Sequence, residues 1–333
     1  MRAWSRDSSG CASSQSMEET KPLPDVSVII AAYCAEDSIA TSIASALAQD
    51  VDLEVIVVDD ASPDGTAEAA EAVDDPRVRV LRLEDNGGPG VARNSGFAAA
   101  TGTFIAVLDA DDAFRPGRLA RCLARGEDAD IIIDSITIEE TGRPARTLDV
   151  AEAAGGPTLD LTDYVRLNSP MARKDTLGYT KPLFRRTFLE ANGLHYDPLL
   201  RIGEDYLLMA EALACGARCA VVPDAGYVYR RRAGSISARL GVRHIEAMLA
   251  ADVCFEAHHT LCEEVVEAIA ARRSALSDAL AFAEAIEQLK ARRPVSAAVA
   301  VMRRPRSAIH FRYPIGARLH RLFRGGAPEA AAS

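Results

Sequence analysis

The chain is 333 residues long, 48% hydrophobic and 26% charged, enough for one large core and a smaller appended unit. Its net charge of −10 argues against bulk nucleic-acid binding, which needs a basic surface for phosphates. No apolar run reaches the roughly eighteen residues of a membrane span, and the stretch before Pro24 lacks the apolar segment of a signal peptide, so a cytoplasmic location is expected.

Residues 1–24 open on a Ser-rich stretch that reads as disordered, with Met17 offering a second start position. Residues 26–31 (VSVIIA) are a short apolar, β-branched run of the kind a buried parallel strand shows, and Ile39, Ile43 and Leu47 then recur at helical spacing. The pattern repeats. Residues 55–58 (VIVV) precede an Asp-Gly turn and an Ala-rich helical segment, 66–73. Residues 77–83 read as a strand, 90–100 as a helix, 103–108 as a strand, 118–124 as a helix and 131–133 (III) as a fifth strand. Such alternation implies an α/β fold, a mostly parallel central sheet flanked by helices, because parallel neighbours need crossover connections. Beyond residue 140 the alternation stops. Residues 182–191 and 205–215 look helical, 219–222 and 227–230 look like two short strands, and 242–289 is an Ala-rich helical extension.

Ligands of parallel sheets sit at the carboxyl ends of the strands. There the sequence places Ala32 and Tyr33, then Asp59 and Asp60, then Asn86 to Gly90, then Asp109 to Asp112. Three carboxylates within Asp109-Ala110-Asp111-Asp112 repel one another unless hydrated, protonated or neutralised by a cation, and oxygen-only ligation suits Mg²⁺ or Mn²⁺. An Asp at position 60 can accept from a base N–H or a ribose hydroxyl, whereas Asp64 is placed to cap the next helix. The run from Asn86 to Gly96 is a glycine-rich turn entering a helix, which lets amides approach an anion, with Arg93 one turn in. The seven cysteines show no paired CxxC framework and the six histidines no ligand spacing, so neither set reads as a metal site.

Taken together, residues 25–33 (DVSVIIAAY), 57–62 (VVDDAS), the run from Asn86 to Gly96 with Ala92-Arg93-Asn94, and Asp109-Ala110-Asp111-Asp112 resemble the family 2 glycosyltransferases of the GT-A fold. The resemblance implies an enzyme that moves a sugar from a nucleotide-diphosphate donor to a hydroxyl with inversion. It implies Ala32 and Tyr33 against the base, Asp60 reading it, Arg93 on the nucleotide side, Asp109 and Asp111 at the nucleotide, and Asp111 and Asp112 on the metal. Arg201-Ile202-Gly203-Glu204-Asp205-Tyr206 is similar to the family's Glu-Asp motif, which makes Asp205, or else Glu204, the base. Residues 229–235 are similar to its closing element, with Arg232 meeting the diphosphate. Cys34 stands where the family usually has Asn, and Ala31 where Pro is common.

By the same resemblance, residues 25–240 form the catalytic domain, 25–137 the nucleotide-binding half and 138–240 the acceptor-binding half, followed by a helical extension, 241–290, and a basic tail, 291–333. Residues 177–186 (LGYTKPLFRR) are similar to the acceptor side of enzymes from the succinoglycan and related exopolysaccharide pathways, which implies a UDP-sugar, UDP-glucose above all, and a lipid-linked oligosaccharide acceptor. From Arg292 to Arg324 there are nine arginines and no acidic residue, interleaved with apolar side chains, a mixture suited to the inner face of an anionic plasma membrane. A nucleotidyltransferase would want a glycine-rich basic loop after the first strand, and residues 31–38 contain no Gly, Lys or Arg. A non-catalytic sugar-nucleotide binder is the remaining rival.

Overall fold

A computed structural model describes residues 23–169, 176–231 and 240–311. The expected strand and helix alternation is present: β1 (Val26–Ala32), α1 (Ile39–Leu47), β2 (Leu53–Asp59), α2 (Thr66–Glu71), β3 (Val78–Arg82), α3 (Pro89–Ala99), β4 (Phe104–Asp109), a two-residue β5 (Ala113–Phe114) and α4 (Arg118–Arg125). Then come β6 (Ile131–Glu140), β7 (Arg146–Leu148), α5 (Val150–Ala154), α6 (Leu161–Leu167), β8 (Leu183–Arg185), α7 (Arg186–Asn192), α8 (Glu204–Ala214), β9 (Cys219–Arg231), α9 (Val242–His258), α10 (Glu263–Lys290) and α11 (Pro294–Arg303).

The strands form one sheet in the order β3-β2-β1-β4-β8-β6-β9-β5, with β7 paired to β6. Its first four strands are parallel, and their register brings Ala32 beside Asp59 and Ala31 beside Asp109. The acidic pairs of β2 and β4 therefore end on the same edge as the Ala32-Tyr33 step. Both faces are covered, which is why these strands read as continuous apolar runs. Val28, Ile30, Val55 and Val57 join a core with α1, α2 and α4, while Ile29, Ile56 and Val58 join one with α3, α6 and α8. On α3, a Cβ at Gly96 would overlap Ile29, so glycine is what allows this helix to lie close on β1.

The second half departs from the sequence reading in two places. Residues 182–191 split into β8, wedged antiparallel between β4 and β6, and the short helix α7. A three-residue strand is too short to carry a periodic signal. The two expected strands at 219–222 and 227–230 are one strand, β9, parallel to β6 along its length, and register shifts on either side of Ser135 absorb the step at Pro223-Asp224. The proposed division at residue 137 falls inside β6, so the two halves share one continuous sheet.

The helical extension is two helices, α9 and α10, fastened to the sheet domain by a buried cation. Arg272 on α10 pairs with Asp252 on α9 at 3.0 Å and donates to the Asn168 carbonyl at 2.8 Å. Its guanidinium lies 3.5 Å from the centroid of the Tyr206 ring on α8, which in turn stacks on Tyr164 of α6. No described helix is long and apolar enough to cross a membrane.

Candidate active site

The residues at the carboxyl edge of the sheet are set by backbone first. After β4, the Asp112 N–H donates to the Asp109 carbonyl, closing a turn that puts Ala110 and Asp111 at its apex. Ser42 Oγ on α1 lies 2.9 and 2.8 Å from the carbonyl oxygens of Ala110 and Asp112, which pins that turn from below. The loops after β1 and β2 are likewise tied together, Cys34 N–H donating to Ser62 Oγ and Ala35 N–H to Thr66 Oγ1. Cys34 has φ of +52°, a left-handed conformation that asparagine tolerates better than cysteine, which accounts for the family's usual residue there. Ala32 is buried and Tyr33 is 48% exposed beside it.

The glycine-rich turn meets an anion of the chain's own. Asp60, buried, accepts from the Gly87 N–H on Oδ1 and from the Gly88 N–H on Oδ2, both at 2.8 Å, and Gly88 is held at φ of +90° where only glycine is unstrained. The amides expected to face a ligand thus hold Asp60. Beside it, Asp59 Oδ2 accepts from the Ser62 N–H, while Asp59 Oδ1 is buried without a partner among the described residues. Asp64 stands one residue before the N-cap of α2, which is Gly65 without a side-chain cap bond, and accepts from the Thr66 N–H.

Arg93, on α3 and 4% exposed, is the centre of the arrangement. Its Nη2 donates to Asp109 Oδ1 at 2.8 Å, and its Nη1 donates to Glu204 Oε1 at 2.8 Å and to Asp205 Oδ1 at 3.0 Å. Lys181 approaches from the other side, its Nζ 2.6 Å from Asp205 Oδ2 and 3.0 Å from Asp109 Oδ2. Two cations therefore bridge β4 on one side of the site to the first turn of α8 on the other. The flanking residues explain how Arg93 is aimed: Ala92 packs in the core, while Asn94 clamps the Tyr196 backbone, donating to its carbonyl and accepting from its N–H. Arg93 also lies over the Tyr196 ring at 5.2 Å.

Charge and burial act against each other here. Burial raises the Asp109 carboxyl, but Lys181 and Arg93 more than reverse this and hold it well below the usual range. Glu204 is pushed up by burial and then by Asp205, with Arg93 and Lys181 opposing. Burial lowers Lys181 and Arg93, yet the surrounding carboxylates keep both above their ordinary values.

Asp112, expected on the metal with Asp111, is tied to β9. It is fully buried, with Oδ2 accepting from the Tyr227 hydroxyl at 2.6 Å and Oδ1 from the Arg230 N–H at 2.8 Å. Burial and the Asp109 charge push its carboxyl well above the usual range. Each oxygen accepts one hydrogen bond, which ties the turn after β4 to β9. Asp111 is half-buried at the turn apex and has an interaction of its own within the chain. The described residues contain no cluster of three metal-ligating side chains. One carboxylate nevertheless fits Mg²⁺ or Mn²⁺, which bind through one or two carboxylates and take phosphate oxygens and water for the rest. Arg232 lies outside the described residues; its neighbour Arg231 stacks over Tyr179 and Tyr229.

Lys181 was not among the residues singled out from sequence. Its signal was a lone lysine within the largely apolar stretch 177–184, since a buried lysine must find carboxylate partners. The remaining support is indirect: Arg118 Nη2 donates to the Lys181 carbonyl at 2.6 Å while its Nε and Nη2 grip Asp134.

Comparison with known proteins agrees with this geometry. Residues 27–188 match the family model described as glycosyl transferase family 2. The chain is 44% identical over 304 residues to the succinoglycan biosynthesis protein ExoO of Rhizobium meliloti (strain 1021), covering 90% of this chain and 87% of that one. TarS from S. aureus, solved with UDP-GlcNAc, superposes with a TM-score of 0.62 at 21% identity, over 84% of this chain and 92% of that one. The mannosyltransferase PcManGT from Pyrobaculum calidifontis, solved with GDP-Man and Mn²⁺, superposes with a TM-score of 0.56 at 20% identity, over 92% of this chain and 85% of that one. At such identities the two structures establish a shared fold.

Proposed function

The chain belongs to glycosyl transferase family 2 and has the GT-A fold, and from that premise we propose that it transfers a sugar from a UDP-sugar, UDP-glucose above all, to a hydroxyl of a growing, lipid-linked exopolysaccharide oligosaccharide, with inversion at the anomeric carbon. The similarity to a succinoglycan biosynthesis protein supports the pathway class. The observation that carries the reaction is the bridge from Asp109 on the donor side, through Arg93 and Lys181, to Asp205 at the start of α8.

In this reading the base packs at Ala32 and Tyr33. Asp60 fixes the glycine turn beneath it and keeps, on each oxygen, a second lone pair for a base N–H. Asp109 takes the ribose side of the nucleotide, and Arg93, lying between donor and acceptor carboxylates, sets their separation. Asp111 would hold Mg²⁺ or Mn²⁺, which when bound offsets the negative charge growing on the departing diphosphate. Arg232, on the segment after β9, adds a positive charge to the same leaving group.

Asp205 is the base. Its oxygens accept from Arg93 and Lys181, and the Tyr196 hydroxyl also interacts with it; a remaining lone pair can accept the proton of the acceptor hydroxyl without leaving Arg93 or Lys181. The hydroxyl oxygen bonds to the anomeric carbon as the carbon–oxygen bond to the diphosphate breaks, and one displacement inverts that centre. Glu204, buried, completes the pairing of Arg93 and stands as the alternative base. The catalytic unit spans 25–240, with nucleotide and acceptor halves meeting near β6. It works in the cytoplasm, with the basic C-terminal segment in peripheral contact with the inner face of the plasma membrane.

Incubating the purified protein with a panel of nucleotide sugars and a lipid-linked oligosaccharide, then reading the product's anomeric configuration by NMR, tests the whole reading. Transfer with retention, or nucleotide binding with neither transfer nor hydrolysis, overturns it.

A further inference from the structure

The helix α11 carries two faces of opposite character. Ala297 and Ala300 turn inward and pack with Ala285 of α10, and Arg304 reaches back to Asp278 of the same helix at 3.8 Å. Val295, Val299 and Met302 recur at the spacing that puts residues on one side of a helix, and that side is the outward one. Val295 is 78% and Met302 68% exposed, and Ile309 in the following turn of 3-10 helix is 55% exposed. The alanines have met the packing need of α11 on α10, so burial in the fold leaves these larger side chains outside. A compact domain seldom sets three large apolar residues in a row toward water without a partner.

Charge identifies the partner. Arg292, Arg293, Arg303 and Arg306 are all exposed around this stripe, and no acidic residue occurs from Ala291 to Phe311 in a chain whose net charge is −10. On a helical wheel Arg303 falls beside the Val295-Val299-Met302 side rather than opposite it, and Arg292 and Arg293 lie immediately before the helix. We propose that the outward face of α11, continued by Ile309, is an interfacial docking surface for an anionic lipid bilayer, with Val295, Val299 and Met302 entering the headgroup boundary and Arg292, Arg293, Arg303 and Arg306 meeting lipid phosphates. This deepens the lipid-linked acceptor reading by naming the part of the basic segment that meets the membrane. Ala297 and Ala300, held by α10, take no part in that contact. Because α10 also carries Arg272, the contact is mechanically continuous with α8, on which Asp205 stands.

The test uses the full chain and two readouts that do not involve transfer. In flotation with vesicles of phosphatidylcholine containing one third phosphatidylglycerol, the wild-type protein is expected to float, and Val295→Ser/Val299→Ser/Met302→Ser to lose at least tenfold in partition. Arg292→Gln/Arg293→Gln/Arg303→Gln should lose a similar factor and bind like wild type in high salt. Donor hydrolysis and circular dichroism should be unchanged in both variants, which separates lost docking from lost folding and from failure of the catalytic reading. Oxidation of Met302 by peroxide, followed by mass spectrometry, should be fast for the protein alone and slowed by the anionic vesicles. Equal flotation of wild type and variants overturns the proposal. So does a Met302 already protected without lipid, which would assign this face to another part of the chain or, where protection grows with protein concentration, to a second copy.

Discussion

Arg93 and Arg118 are both buried guanidiniums within one sheet domain, and they are built for opposite purposes. Arg118 faces a single carboxylate, Asp134, in a two-bond grip, and lies against the rings of Phe114 at 4.5 Å and Tyr227 at 5.1 Å. One charge answers one charge, and aromatic faces exclude the rest. Arg93 shares its site with Lys181 among three carboxylates, Asp109, Glu204 and Asp205, drawn from elements more than ninety residues apart. A closed pair of this kind can only hold strands together. A cluster with more acid than base, placed where the strands end, has lone pairs left for a cation or a proton. The two are linked, since Arg118 also fixes the carbonyl of Lys181.

Substitutions can break this contrast at either end. The largest effect is expected from Asp205→Asn, which should lower turnover by about 10³–10⁴-fold with donor affinity nearly unchanged, because a base acts on the acceptor. Glu204→Gln should be milder in the same single-turnover assay. If Glu204→Gln is the inactive variant instead, the base assignment is reversed. Next, Asp111→Ala, or EDTA reversibly, should reduce transfer by about 10²–10³-fold while leaving thermal unfolding in place. Asp112→Ala should differ from it, showing a clear drop in melting temperature, since it unties β9 from β4. Matching behaviour of the two variants in calorimetry would erase the distinction drawn between them.

Lys181→Met keeps most of the unbranched side chain and removes one of the two bridges. A fall in kcat of about tenfold to a hundredfold, with little change in donor binding, is expected from the misplacement of Asp205. Unchanged kcat would show that Arg93 suffices. The smallest effect on catalysis should come from the closed pair. Asp134→Asn strands Arg118 as a buried, uncompensated charge and should cost about 3–5 kcal/mol in urea unfolding, with activity per folded molecule reduced only a few-fold through Lys181. Loss of activity without loss of stability would place Arg118 among the working groups and dissolve the comparison.

Much of the fold was legible because parallel strands buried on both faces must be continuous apolar runs, and 26–31, 55–58 and 103–108 are such runs. The acceptor side was harder. β8 is three residues long and antiparallel, and β9 contains a proline and a bulge, so its strand character comes from pairing with β6 rather than from its own sequence.

The sequence by itself determined where the chemistry lies. Once three acidic or glycine-rich motifs follow neighbouring parallel strands, the geometry of crossovers gathers Asp60, Arg93, Asp109 and Asp111 toward one edge, and α8 brings Glu204 and Asp205 to Arg93. Only the tertiary structure decided what each one faces. Asp60 turned to the amides of Gly87 and Gly88, Asp112 to Tyr227 and Arg230, and Lys181, within the 177–186 run but given no role there, reached Asp109 and Asp205. Adjacent carboxylates in a turn are equivalent in composition, and what Asp112 bonds depends on a partner 118 residues away, which no local pattern encodes.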